Sequence, residues 1–415
     1  MTTLREWMNE EGYGEASRER FTQFLFRISK EFKDRQAHLC MFSKLKYINS
    51  NNDQKIRDGF FQYQYERGFI FPIKCFYGAT GNFPVGFLVW DLAKRRHLKD
   101  QSITLDVFNA DVEKIGTKRF PSVERTAMLN KWCPRPKWDG RSIMPTFVSA
   151  FNLKTDNKDK RNHVAPDYLC SVVSKGDDFQ NQNSVFILSA PYANAGAFSV
   201  TPENFEKAMV LHAVKKMPKA TWTNDRDAFY SPNAELPEDF VTDCVVWSAF
   251  ADSNYAVSLR NIEYQGRVWQ IANQMYPFLL DEVRRWSCAH SDIAAQLAAA
   301  NEDRFLAKWI DAYRLSPEAR AVFDAARVLY REFYADITHT SWMDWKIETW
   351  DVGYYQVRNA MKDTASFCLQ DSKTPSSESN NPLAALRAAH DALRAKLLPQ
   401  VYSFGFLNPD VEYFT

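Results

Sequence analysis

The sequence predicts an α/β protein whose strands stack in a doubly wound sheet. Three observations carry this. Helix-like and strand-like segments alternate up to about residue 115. The strand-like runs are rich in Phe, Tyr and Val. The pattern opens on a helix, as if cut from a longer alternation. Residues 17–32 carry Phe21, Phe24, Leu25 and Ile28 at helical spacing. Residues 38–46 read as a buried strand. Residues 51–67 read as helix, with Ile56, Phe60 and Tyr63 on one side. Strands are then expected at 69–76, 85–92 and 103–109.

Residues 116–235 form a mixed α+β region. Short strands are expected at 144–151, 168–173 and 184–188, and a helix with Thr201 as N-cap and Pro202 at its first position runs to Val214. From residue 236 to 370 the chain reads as mainly helical. Its clearest helix starts at Ser316-Pro317-Glu318 and continues in a stripe from Ala319 to Phe333. Glu238 and Asp239 fit the first turn of another helix. Residues 371–382 read as a polar linker, and 383–415 as a terminal helix with a tail.

Bulk properties exclude several classes. The net charge is +1, and 45% hydrophobic with 25% charged residues describes a globular chain. Seven scattered cysteines lack a Cys-x-x-Cys pair, which argues for a reducing, cytoplasmic setting. No apolar run approaches the roughly 18 residues of a membrane span. Charge is uneven, however: residues 116–176 hold 12 Lys/Arg against 5 Asp/Glu. Such a stretch is either an electrostatic footprint for phosphate or a solvated surface.

Motifs for chemistry are sparse. There is no phosphate-binding Gly-x-x-x-x-Gly-Lys-Ser/Thr loop and no Gly-x-Ser-x-Gly elbow. Cys288 and His290 are too few for a metal site. The glycines of residues 76–81 (FYGATG) lead into a strand, not a helix, so they read as a strand-to-strand loop.

Residues 41–47 (MFSKLKY), 68–72 (GFIFP) and 83–91 (FPVGFLVWD) follow one another in an order that resembles the segment downstream of the catalytic motif in bacterial adenine-N6 DNA methyltransferases. Residues 258–264 (SLRNIEY), 315–319 (LSPEA) and 350–358 (WDVGYYQVR) are similar to the same family. The likeness covers most of 17–364. That family carries a Phe-x-Gly-x-Gly-type loop for S-adenosylmethionine and an Asn/Asp-Pro-Pro-Tyr/Phe motif for the target adenine. This chain has 18 prolines and no Pro-Pro dipeptide.

The resemblance therefore implies a C-terminal half. Residues 1–115 would be the second half of a Rossmann-like methyltransferase sheet, 116–235 a basic recognition region, and the rest helical. Double-stranded DNA and a partner chain holding the N-terminal half are the implied partners. S-adenosylmethionine belongs to the complete enzyme and is not expected to bind this chain alone. An aromatic before the strand at 85–90 would pack on an extruded base. Phe76 is the first candidate and Phe83 the second, with sheet-edge packing as the alternative for both.

Lys131, Trp132, Arg135, Lys137, Trp138 and Arg141 interleave cations with indoles and are candidate DNA contacts, as are Lys158, Lys160 and Arg161. Arg260 and Asn261 read as structural residues beside an aromatic helix. A non-catalytic DNA-binding or interaction protein, a remnant of such an enzyme, is the second reading. An enzyme of unrelated chemistry is the third.

Overall fold

The computed structural model describes residues 2–33, 35–120, 128–147, 161–193, 196–286, 290–336, 349–361 and 381–414. The chain is mixed α/β, built around two large hydrophobic cores with two smaller clusters beside them. The first unit contains helices α1 (Thr3–Glu10), α2 (Arg20–Glu31), α3 (Lys46–Asn49) and α4 (Gln54–Asp58). Its strands are β1 (His38–Ser43), β2 (Tyr63–Pro72), β3 (Pro84–Arg95), β4 (Ile103–Phe108) and β5 (Lys114–Phe120). Alternation turns Tyr63, Tyr65, Leu88, Trp90, Ile103 and Leu105 onto one sheet face. There they pack with Leu25 and Phe26 of α2.

The sheet departs from a doubly wound one. Strands β1–β3, β3–β2 and β4–β5 pair antiparallel, and only β2–β4 is parallel. The segment joining β2 to β3, expected as a strand-to-strand loop, is a hairpin connection with a short 3₁₀ turn at Ile73–Cys75. It is too short for the crossover helix that parallel neighbours require. The helix expected over 51–67 also shrinks to α4. Gly59 follows it, lying so close to the Tyr13 hydroxyl that a side chain there would collide. Period-two burial then takes over at Tyr63.

The second unit starts with α5 (Leu129–Trp132) and an antiparallel sheet of β6 (Cys170–Ser174), β7 (Val185–Leu188) and β8 (Ala197–Val200), ordered β7-β6-β8. Helices α6 (Phe205–Lys216) and α7 (Glu238–Ala249) follow. Helix α6 begins later than expected: Asn204, not Thr201, stands at its N-cap, and its Oδ1 accepts the Thr201 N–H at 2.8 Å. Glu238 and Asp239 do occupy the first turn of α7.

A hairpin of β9 (Leu259–Tyr264) and β10 (Arg267–Ile271) interrupts the stretch expected to be helical. Arg260 and Asn261 therefore lie on a strand, where Asn261 has φ of +54° and exchanges hydrogen bonds with Gln270. Helices α8 (Leu280–Arg284), α9 (Ser291–Ala299), α10 (Phe305–Ala312), α11 (Pro317–Asp336) and α12 (Pro382–Ser403) complete the unit. Asn381 caps α12 with Pro382 in its first turn, while 371–380 of the expected linker lie outside the described residues. One core runs through α5, the small sheet and the helices from α6 to α12, so it spans both the region expected at 116–235 and the helical one after it.

A strap ties the two units. Strand β11 (Glu412–Tyr413) pairs antiparallel with β5, giving a six-stranded order of β1-β3-β2-β4-β5-β11. Beneath it, the buried Lys118 ammonium on β5 reaches Asp227 at 2.6 Å and Asp410 at 3.1 Å. Asp410 also accepts from Thr221 and Thr223. Among the described residues no helix is long and apolar enough to cross a membrane.

Candidate functional site

A cleft of about 760 Å³ opens where the first unit meets the second. Helix α3 places Lys46 on one wall, α5 and the turn after it bring Lys131 and Arg135, and Lys175 and Arg226 close the opposite side. Asn49 holds this junction by donating to the Arg226 carbonyl at 3.1 Å. Lys131, Arg135 and Lys175 are exposed. Two carboxylates, Asp177 and Asp178, also line the cleft, but both are bound inward. Asp177 accepts from the buried Lys215 ammonium at 2.8 Å and from the Asn130 N–H at 3.0 Å. Asp178 caps the following 3₁₀ turn through the Asn181 N–H at 3.1 Å. Lys46 is paired with Glu19 at 3.2 Å and the buried Arg226 with Asp225 at 3.0 Å, so the outward positive charge comes from Lys131, Arg135 and Lys175, which can hold anionic oxygens.

Burial sets the charge at the cleft floor. It lowers the Lys215 pKa from its usual value, with Asp177 pulling the other way. Cys133, also lining the cleft, has its thiol pushed up to about 12 by burial, so it is no nucleophile at neutral pH.

The aromatic candidates separate. Phe83 is half-buried beside the cleft, with the Arg226 guanidinium 4.7 Å and the Lys44 ammonium 5.6 Å from its ring centre. Phe76 lies elsewhere, packed at 5.5 Å on Phe71 and 6.0 Å on Phe42. These rings belong to the sheet face opposite the first core. Register puts Phe42, Phe87 and Phe69 in one row across β1, β3 and β2, and Phe108 packs against Phe69 at 5.6 Å. Phe42 is 52% and Phe76 41% exposed, so this face is a solvent-facing phenylalanine surface.

The basic candidates also divide. Lys131 and Arg135 line the cleft. Trp132 does not present a free ring: it packs on the second core, edge-on to Phe406 at 6.1 Å, with Lys207 over it at 5.4 Å. Lys137, Trp138 and Arg141 sit in a turn that does not line the cleft. The Trp138 ring stacks on His163 at 3.5 Å, and its N–H donates to the Ser142 carbonyl. Asp139 organises that turn. The Ser142 and Arg141 N–H groups hold its carboxyl well below the usual range, and the Arg141 guanidinium pairs with it at 3.2 Å. Arg161 is exposed, while Lys158, Lys160 and Cys288 lie outside the described residues.

Sequence reasoning missed Lys46, Lys175 and Arg226. Lys175 belongs to the basic stretch and Lys46 to the MFSKLKY segment, but nothing in their spacing shows that they converge with Arg226. The loop containing Gly78 and Gly81 joins antiparallel strands and opens no α-helix. It lacks the helix N-terminus that a nucleotide-type cofactor loop supplies. No protein-family model matches this chain, and neither does any curated protein or solved structure.

Proposed function

We propose that this chain is the DNA-holding, target-recognition portion of an adenine-N6 DNA methyltransferase, working with a separate chain. The observation that carries the reading is the cationic cleft, which gathers Lys131 and Arg135 with Lys46, Lys175 and Arg226 beside Phe83. Cations converging on a groove neutralise backbone phosphates and release counterions. An aromatic ring at the rim offers a stacking surface for a displaced base. The partner chain would bring the S-adenosylmethionine site and the Pro-Pro motif, since this sequence has neither the dipeptide nor a strand-to-helix glycine loop among its described residues. The phenylalanine face and the β1 edge of the sheet are the surfaces that such a partner would cover.

The test is fluorescence anisotropy of a labelled duplex titrated with the whole chain at several salt concentrations. The Lys131→Ala/Arg135→Ala double variant is expected to weaken binding and flatten the log–log salt slope by about 2, one for each phosphate left without its cation. An unchanged slope sinks the reading of the cleft. Adenine methylation on mixing with a chain that carries both missing motifs supports the two-part enzyme. DNA binding without methylation supports the non-catalytic remnant instead.

A further inference from the structure

The second unit holds another cavity, of about 420 Å³, built from residues that the DNA cleft does not use. That size suits a small organic molecule. Helix α12 turns its leucines, Leu386, Leu393 and Leu397, into the core. Arg387, His390 and Arg394 share a different face at spacings of three and four, and that face forms one wall. Lys216, at the end of α6, supplies a third cation from across the cavity.

The wall is richer in donors than in acceptors. Arg387 is exposed, and Arg394 uses its Nε on the Met217 carbonyl at 2.6 Å. The Lys216 ammonium makes a long hydrogen bond, 3.3 Å, to the Gln182 carbonyl. The Trp247 indole N–H is buried and has no acceptor among the described residues. His390 stacks on that indole at 4.7 Å and directs Nε2 to the Trp247 carbonyl at 2.9 Å. Two carboxylates are present, and both are exposed: Asp252, which pairs with Arg358 at 2.5 Å, and Asp391 on α12, against the three cations Lys216, Arg387 and Arg394. Burial lowers the Lys216 pKa, with the Asp252 carboxylate pulling the other way. Phe250, Tyr255 and Tyr354 give the remaining wall an aromatic part, with Ala251 and Ser253 between them in sequence.

We propose that this cavity binds a phosphate monoester of mononucleotide size, with Lys216, Arg387 and Arg394 on the phosphate and the aromatic wall against the base. Cations arriving from two helices match a dianionic phosphate better than a single carboxylate. The aromatic side would go unused by inorganic phosphate. The site stands independently of the DNA reading, because it shares no residue with the cleft.

Isothermal calorimetry on the whole chain decides it, with adenosine 5′-monophosphate, adenosine and inorganic phosphate as separate titrants. The monophosphate is expected to bind at least about tenfold more tightly than either of the others. Arg387→Gln and, separately, Lys216→Gln are expected to weaken it about tenfold, the scale of one charge-assisted hydrogen bond. The Lys131→Ala/Arg135→Ala chain is expected to bind it as the unaltered chain does. No measurable heat with the monophosphate overturns the proposal. So does equal binding of all three titrants, or an affinity that both cavity variants leave unchanged while circular dichroism shows them folded.

Discussion

Phe83 and Phe76 stand at the two ends of the loop between β2 and β3, yet they belong to different surfaces. Phe83 is flanked by Arg226 and Lys44 at the rim of a cationic cleft. Phe76 joins Phe42 and Phe71 on an apolar sheet face. The same side chain, seven positions apart, thus faces cations in one place, a buried guanidinium and a half-buried ammonium, and other rings in the other. The contrast teaches that aromatic content near a strand is no guide to what the aromatic touches. The neighbours decide, and one of them, Arg226, comes from a segment more than a hundred residues away. One surface sets a ring among cations, and the other sets rings against rings.

The largest effect should come from breaking the joint that fixes these surfaces relative to each other. Lys118→Met leaves the buried Asp227 and the half-buried Asp410 without their cation, at a cost of about 3–5 kcal/mol, read by chemical denaturation. A smaller cost would mean that the two surfaces are not held by this seam.

Next comes the cleft. Phe83→Ser is expected to weaken duplex binding by about 1–3 kcal/mol, the range for removal of one stacking platform, while Phe76→Ser leaves it unchanged. Equal weakening by both would erase the distinction between the two ends of the loop.

A polar group sealed in the second core sharpens the contrast with the exposed cations of the cleft. His212 lies between the Ser248 and Ser253 hydroxyls, each 2.9 Å away, and burial pushes its pKa down to about 3. Its contribution to stability is complete above pH 6.5, the unfolded value, and declines as pH falls toward 3. The decline is about 1.4 kcal/mol for each pH unit in that window. His390, also lowered by burial, acts in the same direction. Asp227, raised by burial to about 6 against the pull of Lys118, acts oppositely, its contribution declining as pH rises through 6. Comparing His212→Gln with the unaltered chain cancels both, and the variant should show a flatter acid limb in denaturation measured from pH 7 to 4.

The smallest effect belongs to the phenylalanine face. Phe42→Ser should change the stability of the isolated chain by less than about 0.5 kcal/mol, since the ring is half exposed. In sedimentation with a cognate partner it should nonetheless weaken association. A large drop in the stability of the chain alone would show that the face is already part of a core.

Much of the first unit was legible. Strands β3 and β4 follow from β-branched and aromatic content and α2 from its helical stripe, whereas β1, expected as a buried strand over 38–46, ends at Ser43 and lies at the sheet edge with alternate residues exposed. Strand direction was not legible, because antiparallel and parallel neighbours carry the same local pattern. Hydrophobic period failed at 51–67, where Ile56, Phe60 and Tyr63 mimic a helical stripe although Gly59 ends the helix. Hairpin β9–β10 was missed because Gln265-Gly266 is a turn that puts a non-glycine residue at positive φ. At the site, Lys131 and Arg135 stand out as a basic cluster, while the packing of Trp132 on Phe406 could not be read because Phe406 is distant in sequence. Convergence of separate segments leaves no trace in spacing.

Strand β11 gives the first sheet an unusual assembly history. Lys118 and Asp410 are 292 positions apart. At a translation rate of roughly 5–20 residues per second, β5 waits roughly 15–60 s on the ribosome for its neighbour. During that interval the sheet lacks its last strand and has two unprotected borders, β1 and β5, and the Lys118 ammonium has no carboxylate from the strap. Nascent chains of this protein should therefore depend on chaperones that shield strand borders, and a slowed ribosome should lower the yield of folded chain more than a fast one.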